Sequence, residues 1–112
     1  MRRRLALLAL SAGLVLAASP LRAEDAVTYE VTLSKDVFTP AEIKVPAGKP
    51  FMLKLTNNNA KPAELESKQM KVEKIAPANA SIVVRVRAME PGKYLFVDEF
   101  QEDTAKAHVI VE

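Results

Sequence analysis

Cysteine is absent from this chain of 112 residues, and histidine occurs once. The first absence excludes a disulfide, a thiolate metal ligand and a cysteine nucleophile. The single His108 has no recognisable nucleophile motif to serve, so a Ser-His-Asp arrangement has little support. A basic stripe interleaved with aromatics is also missing, which removes the electrostatic footprint of a nucleic-acid binder. No segment sustains 3.6-residue periodicity, and there is neither an internal repeat nor a low-complexity linker. The length suffices for one domain and not for two. A small domain without disulfides is held by burial alone, which favours a compact, well-paired sheet.

The first residues read as a leader rather than as fold. Met1-Arg-Arg-Arg is basic, Leu5 to Ala18 is apolar apart from Ser11 and Gly13, and Ser19 to Ala23 is a short polar region ending in Ala. That order is a secretory signal peptide, expected over 1–23 with cleavage after Ala23 and a mature domain over 24–112. Its apolar run falls short of the roughly 20 residues that cross a bilayer, which disfavours the alternative of an uncleaved anchor, and no membrane insertion is expected after its removal. Four arginines (Arg2, Arg3, Arg4, Arg22) leave with it, and the net charge of +2 becomes −2. Export to the periplasm is the expected location.

From Ala26 onward apolar residues recur with period two between turn residues. Val27, Tyr29, Val31 and Leu33 alternate with Thr28, Glu30 and Thr32, which predicts a half-buried strand. Ile43 and Val45 open a second strand, ended at Pro46-Ala-Gly48. Phe51, Leu53 and Leu55 form a third, closed by Asn57-Asn-Asn59. Further runs are Ala63–Ser67, Met70–Ile75, Ser81–Arg87, Lys93–Asp98 and Ala107–Glu112, with room for one short turn over 101–107. Short strands with turn signals about every ten residues predict an all-β, antiparallel sandwich. Gly48 is expected to supply a positive φ, and Pro91-Gly92 to set a turn before Tyr94.

Two stretches carry a family resemblance. Phe38-Thr-Pro-Ala-Glu-Ile-Lys-Val-Pro-Ala-Gly48, followed by a strand ending at Asn57, resembles the first half of a cupredoxin. Ala76-Pro77 before a strand, then Pro91-Gly-Lys-Tyr-Leu-Phe96, resembles the second half. The fold this implies is a Greek-key β-sandwich of cupredoxin type. Pro62-Ala-Glu-Leu-Glu-Ser-Lys68 and Asp98 through Lys106 are similar to the iron-uptake branch: the cupredoxin-like domain of EfeO-type proteins and the small periplasmic cupredoxin of FtrABCD-type systems. In a blue-copper cupredoxin, copper is held at one end of the sandwich by His, Cys, His and an axial Met. At the matching places this chain has Ala63-Glu64 and Asp98, so a type-one copper site is excluded.

Carboxylates stand there instead. Glu64 and Glu66 are two apart on an expected strand and share one face. Asp98 has the parity of Tyr94 and Phe96 and is expected to point inward, with Glu99 next and Glu102 and Asp103 on the following loop. Glu64, Glu66 and Asp98, with Glu99, are expected to converge as a metal site, because crowded carboxylates repel unless a cation joins them. Oxygen ligands favour hard cations such as Fe(III). The alternatives are a solvated, edge-protecting acidic surface and an ion pair of Asp98 with Lys61 or Lys68. Met70 is a thioether ligand or core filler. His108 alternates with Val109 and Val111, so it is expected to face outward. Lys74, Arg85 and Arg87 are expected on a solvated sheet face.

The resemblance implies a periplasmic component of iron acquisition, binding iron or copper and working beside an inner-membrane permease, in a system that oxidises Fe(II) and passes on Fe(III). A metal-free docking module on the same fold and a periplasmic copper carrier using Met70 are the other readings.

Overall fold

The computed structural model describes residues 26–112; the expected leader 1–23 lies outside them. Nine strands follow in order: β1 Thr28–Ser34, β2 Val37–Thr39, β3 Glu42–Val45, β4 Phe51–Asn57, β5 Ala63–Ser67, β6 Val72–Ala76, β7 Ala80–Val86, β8 Gly92–Asp98 and β9 Lys106–Val111. The only helical piece among the described residues is a 3-10 turn, Glu99–Gln101. It sits two residues earlier than the turn expected over 101–107.

The strands build two layers, a four-stranded sheet ordered β2-β1-β4-β7 and a five-stranded sheet ordered β3-β9-β8-β5-β6. The β-sandwich of cupredoxin type is therefore as the sequence predicts. Its pairing is not wholly antiparallel, since β1 with β4 and β3 with β9 run parallel. The reason lies in the connections: β2 and β3 carry the chain from one sheet to the other, so β4 returns beside β1 in the same direction.

Period-two alternation places the core between the sheets. Val31, Leu33, Phe51, Leu53, Leu55, Ile82, Val84 and Val86 face Ile43, Val45, Ala63, Leu65, Phe96, Ala107, Val109 and Val111. Phe38 meets Phe96 edge-on across the layers, with ring centroids 5.0 Å apart. Such a pair adds roughly 0.5–1.5 kcal/mol beyond the area it buries.

Two turn residues act in different ways. Gly48 has φ +76°, a region open to glycine at little cost. Gly92, read from sequence as a turn former, opens β8 instead. A Cβ there would lie 3.2 Å from the Tyr94 hydroxyl oxygen, which donates to the Glu90 carbonyl at 2.8 Å. Gly92 thus makes space for a ring just after the bend at Pro91.

The basic residues expected on a solvated face also tie the layers together. Lys74 Nζ donates to the Val83 carbonyl, and Arg87 donates to the carbonyls of Met70 and Gln69. At the end of the sandwich, Asn57 is fully buried and its Nδ2 donates to the carbonyls of Lys61, Ala76 and Pro77. Its Oδ1 accepts from Asn59 N–H. One side chain of β4 therefore fixes the start of β5 and the end of β6.

Candidate metal centre

Strand β5 presents Ala63, Leu65 and Ser67 to the core and Glu64 and Glu66 to the outer face, the alternation any strand imposes. Strand β6 returns antiparallel through Lys68–Lys71, with Glu73 opposite Glu66 and Ile75 opposite Glu64. Directly opposed residues project to the same side. Three glutamates on two strands are thereby gathered on one face.

The fourth comes from the 3-10 turn. Asp98 ends β8 and caps that turn, its Oδ1 accepting from Phe100 N–H at 3.0 Å. The same oxygen accepts from Glu64 N–H at 2.9 Å. One carboxylate oxygen thus holds the turn against β5, and Glu99, the first residue of the turn, is delivered to the glutamates.

Carboxylate oxygens of Glu64, Glu73 and Glu99 all lie within 4.8 Å of one another. Glu99 Oε1 is buried and has no hydrogen-bond partner. The Glu73 carboxyl against Glu64 is the main cause holding Glu64 above the usual carboxylate range, with burial and the charges of Glu73, Glu99 and Asp98 adding to it. Glu66 does the same to Glu99, aided by burial and by Glu73 and opposed by Lys68. Carboxyl groups this close are stable together when they share a proton or a cation.

Of the residues singled out from sequence, Glu64, Glu66 and Glu99 come together. Asp98 adjoins them through the Glu64 N–H and its charge, but lies on the other side of the sheet, because Glu64 and Glu66 face outward while Asp98 points inward and is 1% exposed. The expected convergence of Glu64 and Glu66 with Asp98 is therefore replaced by an outer group and an inner residue. Neither Lys61 nor Lys68 pairs with Asp98. Its Oδ1 takes two backbone N–H groups, its Oδ2 is buried without a partner, and Lys61 instead lies 3.7 Å from Asp36. Met70 sits in the core at 2% exposure, in the turn rather than in the strand where the sequence places it. His108 faces outward as its parity requires, opposite Leu95 and Glu42. It lies two strands from Glu66 across β8 and two residues along from the Glu66–Val97–Lys106 row, about 12 Å at the usual strand spacings. Glu102 and Asp103 are exposed on the loop.

Glu73 is the member that sequence reasoning missed. The signal for it is the four-residue connection Lys68–Lys71, which sets the hairpin register and so the facing of Glu73 to Glu66. That turn carries no Gly, Pro or Asn; its left-handed position is Lys71, with φ 59°.

The chain belongs to the cupredoxin-like domain family, whose model matches residues 6–111. An uncharacterized protein of Rickettsia prowazekii (strain Madrid E) is 30% identical over 82 residues, covering 73% of this chain. The match spans 66% of that relative, just under two thirds of its length. Among solved structures, the metal-binding domain of the Cu(I)-exporting P-type ATPase CopA of Streptococcus pneumoniae D39 is similar with a TM-score of 0.69 at 16% identity, covering 80% of this chain and 89% of that one. Auracyanin A, a blue copper protein of Chloroflexus aurantiacus, is similar with a TM-score of 0.62 at 16% identity, covering 76% and 98%. At these identities the likeness is one of fold.

Proposed function

We propose that this protein is a periplasmic metal-binding component of iron acquisition, related to the EfeO-type and FtrABCD-type cupredoxins, that holds a hard cation on the outer face of its five-stranded sheet. The observation that carries the reading is the meeting of Glu64, Glu73 and Glu99 within 4.8 Å. Glu66 stands beside Glu99 as a further oxygen donor. All-oxygen ligation suits Fe(III) and, among copper states, Cu(II) better than Cu(I). Iron is cargo here, and oxygen donors favour its ferric state over its ferrous one. Delivery to a membrane permease is the step this would serve. Met70 is core, so a copper carrier led by its thioether has less support than the carboxylate site.

The test is calorimetric titration of the purified protein with anaerobic Fe(II), with Fe(III) as a soluble chelate, with Cu(II), and with Mn(II) as control. Stoichiometric binding that weakens at least tenfold in Glu73→Gln supports the reading. Binding no stronger than the control, or binding indifferent to Glu73→Gln, overturns the site and moves the weight to the metal-free docking module.

A further inference from the structure

The five-stranded sheet is incomplete beside β8. On one side β8 pairs with β9 along six residues, Gly92 to Val97. On the other it meets β5 only at Val97 and Asp98, because β5 ends at Ser67 and the chain turns away. Asp98 N–H is directed to the Ala105 carbonyl on the β9 side. By the alternation of an antiparallel strand, the N–H and C=O groups of Lys93 and Leu95 point the opposite way, into the gap. Leu95 N–H is met there by a side chain in place of a strand: Gln69 Oε1 accepts it at 3.1 Å.

Gln69 lines two grooves that meet at this point. The outer one, about 250 Å³, runs over Leu95 and Val97 and is rimmed by Glu66, Lys68 and Glu102. The inner one, about 490 Å³, lies against Met89 and Tyr94 beside Arg87 and Glu90. Leu95 is 39% exposed on the outer side. A strand edge with main-chain groups turned to solvent is a template for another chain.

We propose that this gap is a strand-addition site. An extended segment of another polypeptide lies antiparallel to β8, displaces the Gln69 side chain and pairs its main chain with Lys93 and Leu95. Alternate side chains then enter the two grooves. Two carboxylates against one lysine on the outer rim select Lys or Arg for the outward position, and Met89 with Tyr94 selects an apolar residue for the inward one. The strand-addition site shares Glu66 with the carboxylate site but rests on the main chain of β8 and on Gln69, which that site does not use, so main-chain pairing can fail or hold without it.

The test uses a capped hexapeptide of alternating Lys and Val, titrated into the protein while the backbone amide signals of Lys93 and Leu95 are followed. Saturable shifts at both amides are expected. Affinity should rise at least threefold in Gln69→Ala, which removes the internal competitor, while cation binding stays unchanged. Single N-methylation along the peptide should weaken binding tenfold at alternate amides and leave the intervening ones unaffected, a pattern that only main-chain pairing produces. Three results would overturn the proposal: no binding to either protein at millimolar peptide, equal tolerance of N-methylation at every position, or equal affinity for a peptide of alternating Glu and Val.

Discussion

Asp98 and Glu99 are neighbours in the chain and opposite in circumstance. Asp98 turns inward, loses almost all contact with water, and spends one oxygen on two backbone N–H groups. Glu99 turns outward into a group of its own kind, where only Lys68 opposes the crowding. The pair shows how a single step along a strand end separates a carboxylate that holds the fold from one crowded among its own kind. The inner residue is fixed by hydrogen bonds that no cation needs to supply. The outer group is held together by the backbone against its own repulsion, which is the condition under which a cation gains most by binding.

The largest effect is expected at the inner residue. Asp98→Ala strands the N–H groups of Glu64 and Phe100 and should cost about 2–4 kcal/mol, taking the usual cost of a buried donor left unpaired. Urea unfolding measures it, and an unchanged midpoint would erase the distinction drawn above. Next in size is the contrast in ligand affinity. Glu64→Gln should weaken the bound cation at least tenfold, whereas Asp98→Asn, which keeps an acceptor for both N–H groups, should weaken it less than threefold. His108→Ala should leave it unchanged. The reverse order in calorimetry would put the site inside the sandwich.

A smaller effect follows from proton linkage. Glu64 and Glu99 are held above the usual carboxylate range, near 4.5, in the folded protein. The folded state therefore binds protons more tightly than the unfolded chain does. The stability this gives is fully present below the ordinary value and is lost as pH rises through the raised folded values. Without a cation, Tm should fall from mildly acidic pH toward neutrality. Glu64→Gln should flatten that slope and raise Tm at pH 7. A Tm that climbs over the same interval would contradict the crowding. The smallest change is away from the site: Gly92→Ala should cost about 1 kcal/mol, the worth of the Tyr94–Glu90 hydrogen bond it disturbs.

Much of this was legible in the residues. Alternation at Val31, Leu33, Leu53 and Leu55 marks the strands, and Tyr94 with Phe96 marks Asp98 as inward. Glu64 and Glu66 are visible as one face. Sequence parity, however, gives facing within a strand and nothing about which neighbour a face meets. Parity turned Asp98 inward and put Glu64 and Glu66 on one face, but left open which face that was, and their expected meeting with Asp98 depended on it. Glu73 was hidden because register is set by a turn whose left-handed residue is a lysine, where glycine or asparagine would have announced it. The Gly92 role was equally hidden, since a glycine needed for space looks the same in sequence as one needed for a turn.

Asn57 has a consequence for the conditions under which this protein can work. A single buried amide on β4 closes the end of the sandwich over the start of β5 and the end of β6, in a chain with no cysteine to cross-link it. Such a closure contains no thiol and requires no oxidant to form. Oxidants, reductants and thiol reagents therefore leave this clasp untouched.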